Sequence, residues 1–188
     1  MSKSETAADA LEATLDQDWI ETAADTIQPL LRQVEGRLPD RVLDLLHGVP
    51  IGHPLHPALV HLPLGGWMTA GMLDLMGVFG NAEADRAADT VLLLGTVGAT
   101  ATIVTGWTDW SNTRGAARRD GLVHGLTNET AFLLNIGSLL ARRKHHRKLG
   151  RLLSGTALLL SIAGAFMGGQ LVYRHGLGVG HTMDVRQG

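Results

Sequence analysis

His53, His56 and His61 fall within the run His53-Pro54-Leu55-His56-Pro57-Ala58-Leu59-Val60-His61-Leu62-Pro63, at the head of a long apolar stretch. Neutral imidazoles ligate metals and carry protons near neutral pH, and ionisable groups at the edge of an apolar segment are costly enough to point to function. His124 opens a second apolar stretch, and Asp109, beside Trp110, closes another. Two imidazoles from different helices suit a b-type haem, whereas three or more converging histidines suit zinc, copper or non-haem iron. The spacing leaves both open. For a haem the positions are His61 and His124, and for a histidine-ligated metal they are His53, His56, His61, Asp109 and His124. The competing reading is a structural or proton-coupled transport protein, without cofactor, whose imidazoles satisfy one another.

The prolines bear on that choice. Pro54 and Pro57 disfavour helical geometry at His53 and His56, so these two imidazoles are expected to project from an extended stretch at the interface, not into a bundle. His61 falls near a first helical turn whether the helix starts at Pro57 or at Pro63. That places it near the depth expected for His124, and the pair is the favoured cofactor site.

Four apolar blocks must position these residues: roughly Ala58 to Phe79, Ala87 to Trp107, Leu122 to Ala141 and Leu152 to Tyr173. As helices of about 20 residues, each is long enough to cross a hydrocarbon core. The chain's near-neutral mean hydropathy reflects dilution by polar segments, so the windowed pattern decides. The predicted fold is therefore all-α: a four-span transmembrane helical bundle over residues 48–180, a peripheral amphipathic N-terminal helical segment over 1–47, and a short tail over 181–188.

In an antiparallel four-span bundle, the starts of spans one and three and the ends of spans two and four share one membrane face. That face gathers His53, His56, His61, Trp107, Asp109, Trp110, His124, Tyr173, Arg174, His175 and His181. His145 and His146 fall at the opposite face, in a basic loop where they are expected to be solvated. The loop Arg142 to Lys148 is the densest basic cluster and favours both termini outside by the positive-inside rule, but Arg114, Arg118, Arg119, Arg32, Arg37 and Arg41 nearly balance it.

In the third block His124, Asn128, Ala131, Asn135 and Ser138 recur at helical spacing, one polar stripe that should face the bundle, since amides facing lipid would be unsatisfied. Ser161, Gly164 and Gly168 form a small-residue stripe suited to close helix packing. Asp74 and Glu129 are intramembrane carboxylates. Asp74 lies near enough to its helix end to reach the far interface, and Glu129 is rotated from Asn128 and expected to snorkel. In the N-terminal segment Ile20, Ala23, Ala24, Ile27, Leu31 and Val34 mark an amphipathic helix, resting on headgroups or on the bundle, or serving as a docking arm. No basic stretch followed by an apolar run marks a cleaved leader there.

A formal charge of −2 and a pI near 6.5 exclude a nucleic-acid partner of the usual basic kind. The absence of cysteine removes thiolate catalysis and a cysteine-ligated cluster. No Gly-x-Ser-x-Gly, His-Glu-x-x-His or phosphate-binding glycine loop is present, so at most a redox subunit is expected. Aromatic residues at 4% count against a haem pocket.

The segments Leu46-His47-Gly48 and Gly52-His53-Pro54-Leu55-His56-Pro57-Ala58-Leu59-Val60-His61, followed by four blocks and the closing Gly168-Gly169-Gln170-Leu171-Val172-Tyr173-Arg174-His175-Gly176, resemble the domain-of-unknown-function 2231 family of predicted bacterial membrane proteins. The similarity runs from about Leu46 to Val179. It implies a multi-pass protein of the bacterial inner membrane, with the lipid bilayer as partner and with His53, His56, His61 and His124 as positions to suspect. Family members are often joined to a Rieske-type iron–sulfur domain, which implies an electron-transfer or anchor module. Without cysteine here, a Rieske-type or other redox protein would act in trans. Homo-oligomerisation is left open.

Overall fold

The computed structural model describes residues 18–178. His181 and the tail 181–188 lie outside the described residues, as do residues 1–17 of the N-terminal segment. Among the described residues there are seven α-helices: α1 (Asp18–Glu35), α2 (Asp40–His47), α3 (Leu55–Leu59), α4 (His61–Val78), α5 (Ala82–Trp110), α6 (Gly115–Arg143) and α7 (Arg147–Tyr173). A 3-10 turn, Val49–Ile51, joins α2 to the histidine run.

The four long helices cover the four apolar blocks and pack chiefly as two hairpins, α4 with α5 and α6 with α7. Local chemistry sets their ends. Asn81 caps α5, its Oδ1 accepting from the backbone N–H groups of Glu83 and Ala84 at 3.1 and 3.0 Å. The α4–α5 contact is backbone to backbone: a Cβ on Gly66 would lie 2.8 Å from the Gly95 Cα. Around it Trp67, Ala70, Leu92, Ala99, Ala131 and Ala157 form a buried core.

Small and polar side chains fill much of the interior, whereas many large apolar ones face out. Asn135, Ser138 and Thr105 are buried, while Met72, Leu75, Leu94, Val97, Leu133, Leu159 and Ile162 are exposed. A soluble bundle reverses this order; one solvated by lipid does not need to, because apolar surface gains nothing there by hiding.

By length and composition α5 and α7 can cross a membrane, and α4 and α6 fall short. The physical reason is where their polar residues sit. Asp74 lowers the average of α4, and His124, Asn128, Glu129 and Asn135 that of α6, yet Asp74 and Asn135 are buried and Glu129 is bonded inside the bundle. A mean over all faces counts them as though they met lipid.

The far end of the bundle corrects two expectations. Arg142 belongs not to a solvated loop but to the last turn of α6, with its side chain 1% exposed against Asp74. Its Nη1 donates to Asp74 Oδ1 at 2.7 Å and to Asp89 Oδ1 at 2.9 Å, and its Nη2 also donates to Asp74. Arg147 and Arg151 complete the network with Asp89 and Asp85, both at 2.5 Å. Asp74 is therefore an ion-paired residue, not a lone carboxylate reaching for the interface. Of the five basic residues from Arg142 to Lys148, Arg142 and Arg147 are neutralised, which weakens the loop as an orientation signal.

The N-terminal amphipathic helix lies on the bundle. Ile20 and Ala24 are fully buried and pack with Trp110 and Leu122, flanked by Ile27 and Leu31. Gln28 Nε2 donates to the carbonyls of Trp110 and Thr113, both at 3.1 Å, tying the helix to the end of α5 and the turn after it. Arg118 binds Glu21 and Asp25 across the contact.

Candidate cofactor cavity

The shared face predicted for the helix ends encloses a cavity of about 690 Å³ lined by residues of α2 to α7. Such a volume lies in the range of ordinary small-molecule and cofactor pockets. Its walls are mostly apolar, with Val60, Leu64, Trp67, Ile103 and Val172 among them, and a few polar groups converge on it.

His56 and His124 meet there, with ring centroids 6.3 Å apart and planes at 84°. His56 lies over Gly106, where a Cβ would come within 2.8 Å of its Cε1, and its Nδ1 is 2.9 Å from the Thr102 carbonyl oxygen. His124 lies over Gly168 in the same way, and its Nδ1 is 2.9 Å from the Gly164 carbonyl oxygen. A carbonyl oxygen can only accept, so each neutral ring carries its proton on Nδ1 and keeps the Nε2 lone pair for something else. A backbone carbonyl on one ring nitrogen is the usual way a ligating histidine is oriented and made more basic at the other. Asn128 adds to the seat by donating from Nδ2 to the His124 carbonyl at 2.8 Å.

The other predicted positions are placed differently. His61 lines the same cavity from an exposed position, with Nδ1 3.2 Å from the Ala58 carbonyl oxygen. His53 is exposed in the bend before α3 and does not line the cavity. Asp109 is held by His47, whose Nδ1 donates to Asp109 Oδ1 at 3.0 Å. That bond, opposed by burial, holds the His47 imidazole above its usual pKa. Nearby, burial pushes the Glu35 carboxyl up, although the Ser111 hydroxyl donates to it at 3.0 Å. Glu129 does not snorkel; it accepts the indole N–H of Trp107, and both residues line the cavity. Trp107 in turn packs edge-on against Trp110 at 5.1 Å.

His56 is thus the residue that faces His124, contrary to the expected pairing of His61 with His124. The reason is local. Pro57 sits in the first turn of the short α3, where a missing N–H costs no hydrogen bond, so His56 is helical despite preceding a proline. A turn at Val60 then separates α3 from α4. Extended geometry at His56, as the prolines predicted, would have kept the ring at the interface. The signal that could have located it is Gly106, a mid-helix glycine one turn from Thr102.

Among the described residues no three His, Asp or Glu side chains are grouped so as to hold a metal ion. His53, His56, His61, Asp109 and His124 therefore do not form one donor set, and zinc or non-haem iron, which take three or more protein ligands, do not fit. Two neutral imidazoles from different helices, their ring centres 6.3 Å apart at the cavity, have the donor chemistry of a group held by two histidines.

A family model described as a predicted membrane protein, DUF2231, matches residues 52–181. The match spans the histidine run, both hairpins and the closing Gly168–Gly169 segment. No curated protein and no solved structure matches the chain.

Proposed function

The chain belongs to the DUF2231 family of predicted membrane proteins, and on that premise we propose that it is a multi-pass protein of the bacterial inner membrane that binds one b-type haem between His56 and His124 and carries electrons. The observation that supports this most is the pair of imidazoles themselves: two helices, a 6.3 Å separation, and both Nδ1 atoms committed to backbone carbonyls. His61 is exposed at the rim of the cavity and would not hold the haem in this reading.

Bound haem would supply a one-electron iron couple. The chain's own residues would do the rest. Thr102 and Gly164 fix the tautomer and orientation of the two imidazoles, Gly106 and Gly168 leave room for the rings, and the apolar walls keep bulk water from the site. Electrons would pass to or from a separate redox protein, of Rieske or other type, docked at the face where Tyr173 is exposed.

All four long helices cross the bilayer in this reading. The buried polar groups of α4 and α6, and the exposed apolar residues on both, support it. The test is haem content. Protein purified in mild detergent from haem-replete cells should carry about one haem per chain by pyridine haemochrome assay, and a chain without haem or any visible chromophore would leave the structural or transport reading in its place.

A further inference from the structure

The polar stripe of α6 does not stop at Ser138. His124, Asn128, Ala131, Asn135, Ser138 and Arg142 continue at helical spacing along one face. At 1.5 Å per residue the stripe is about 27 Å long, close to the thickness of a hydrocarbon core. Its two ends are the cavity, at His124, and the Asp74–Arg142 network.

Asn135 stands between them. Its side chain is 0% exposed, and neither Nδ2 nor Oδ1 has a hydrogen-bond partner. Leaving both groups unmet in an apolar interior costs several kcal/mol by transfer scales, on the order of 2–7. A metal cation would satisfy only the oxygen and an anion only the amide nitrogen. Water both donates and accepts, and buried water is the normal partner of such groups.

The neighbours on the stripe are accounted for. Asn128 is bonded to His124, and Ser138 donates to the Gly150 carbonyl at 2.6 Å while accepting from Arg142 Nε at 3.0 Å. The gap from Asn128 to Asn135 is about 10 Å, which three or so hydrogen-bonded waters bridge at about 2.8 Å each. Ala131 and Ala157, both fully buried, are the small residues in the core beside that gap.

We propose that Asn135 holds internal water at the centre of the bundle and that the α6 face from His124 to Arg142 is a route for protons between the cavity and the far end. A proton enters from the cavity and is passed by water along Asn135 toward the end of the bundle that holds Arg142. No bond besides O–H or N–H is made or broken. The route requires neither haem nor a redox partner, so it stands or falls separately from electron transfer.

The test is proton flux into vesicles of purified protein with a trapped pH-sensitive dye, driven by a potassium diffusion potential. Wild-type protein should acidify the lumen several-fold faster than protein-free vesicles, and Asn135→Leu should return the rate to the protein-free value with helicity and detergent monodispersity unchanged. Asn135→Val, close to asparagine in size but without donor or acceptor, should do the same and replaces Asn135→Leu should that variant not fold. A wild-type rate equal to that of protein-free vesicles, or variants that conduct as fast as wild type, would overturn the proposal.

Discussion

Asp74 of α4 and Arg142 of α6, 68 residues apart in the chain, form a buried two-point ion pair at the end of the bundle away from the cavity. Ser154 supports the pair from α7 by accepting from Arg142 Nη2 at 2.9 Å, and Asp89 supports it from α5. All four long helices are thereby tied at one level.

Removing one member of a buried pair strands the other charge. Asp74→Ala should therefore destabilise the protein by about 3–5 kcal/mol, and a double variant Asp74→Leu with Arg142→Met should recover most of that. Thermal unfolding in detergent, followed by far-UV circular dichroism, would check both. Equal stability of Asp74→Ala and wild type would contradict the burial of this pair.

His47 makes the docking of α2 on α5 depend on pH. Its pKa is raised, chiefly by the hydrogen bond to Asp109. A histidine that holds its proton more tightly folded than unfolded adds stability that is complete below its unfolded pKa of about 6.5 and is lost as pH rises through the higher folded value. Melting temperature should fall as pH rises from about 6.5 through that folded value, and Asp109→Asn should flatten the slope. An unchanged slope in Asp109→Asn would show that the pair does not carry the dependence.

Gly106 and Gly168 seat the two imidazoles. A Cβ at Gly106 would lie 2.8 Å from His56 Cε1, and one at Gly168 would lie 3.0 Å from His124 Cε1. Gly106→Ala and Gly168→Ala should weaken haem retention by on the order of 10–100-fold, the size of effect usual for residues that orient ligands, with helicity unchanged. Haem-to-protein ratios after dilution against apomyoglobin would measure this.

The crossing of all four helices is open to direct test because the chain has no cysteine. Single cysteines placed at Phe79 and Lys144, in the α4–α5 and α6–α7 connections, should react with a membrane-impermeant maleimide from one side of the cell membrane. A cysteine at Asn112, in the α5–α6 connection, should react from the other. Labelling of Phe79→Cys and Asn112→Cys from the same side would show that α5 does not cross.

The sequence exposes what has a period and conceals what is distant. The α6 stripe from His124 to Ser138 is legible because 3.6-residue spacing needs no partner to be seen, and the shared face of the four helix ends follows from antiparallel order alone. The Asp74–Arg142 and His47–Asp109 pairs are not legible, since opposite charges 68 and 62 residues apart carry no local mark. His56 was misplaced for a different reason. The rule that a residue before proline avoids helical geometry is a local preference, and here the first turn of α3 overrides it and turns the ring toward Thr102. Ser161, Gly164 and Gly168 read as a plain packing stripe, but Gly164 and Gly168 instead make room for Asn128 and His124.

The pairing of His56 with His124 as haem ligands is tested most directly by dithionite-reduced minus oxidised visible spectra of the wild type and of His56→Ala, His61→Ala and His124→Ala, purified in parallel from haem-replete cells. The account predicts a b-type absorption band in the wild type and in His61→Ala, and its loss in both His56→Ala and His124→Ala with helicity retained. No band in the wild type, or a band that survives in His56→Ala and disappears in His61→Ala, would contradict it.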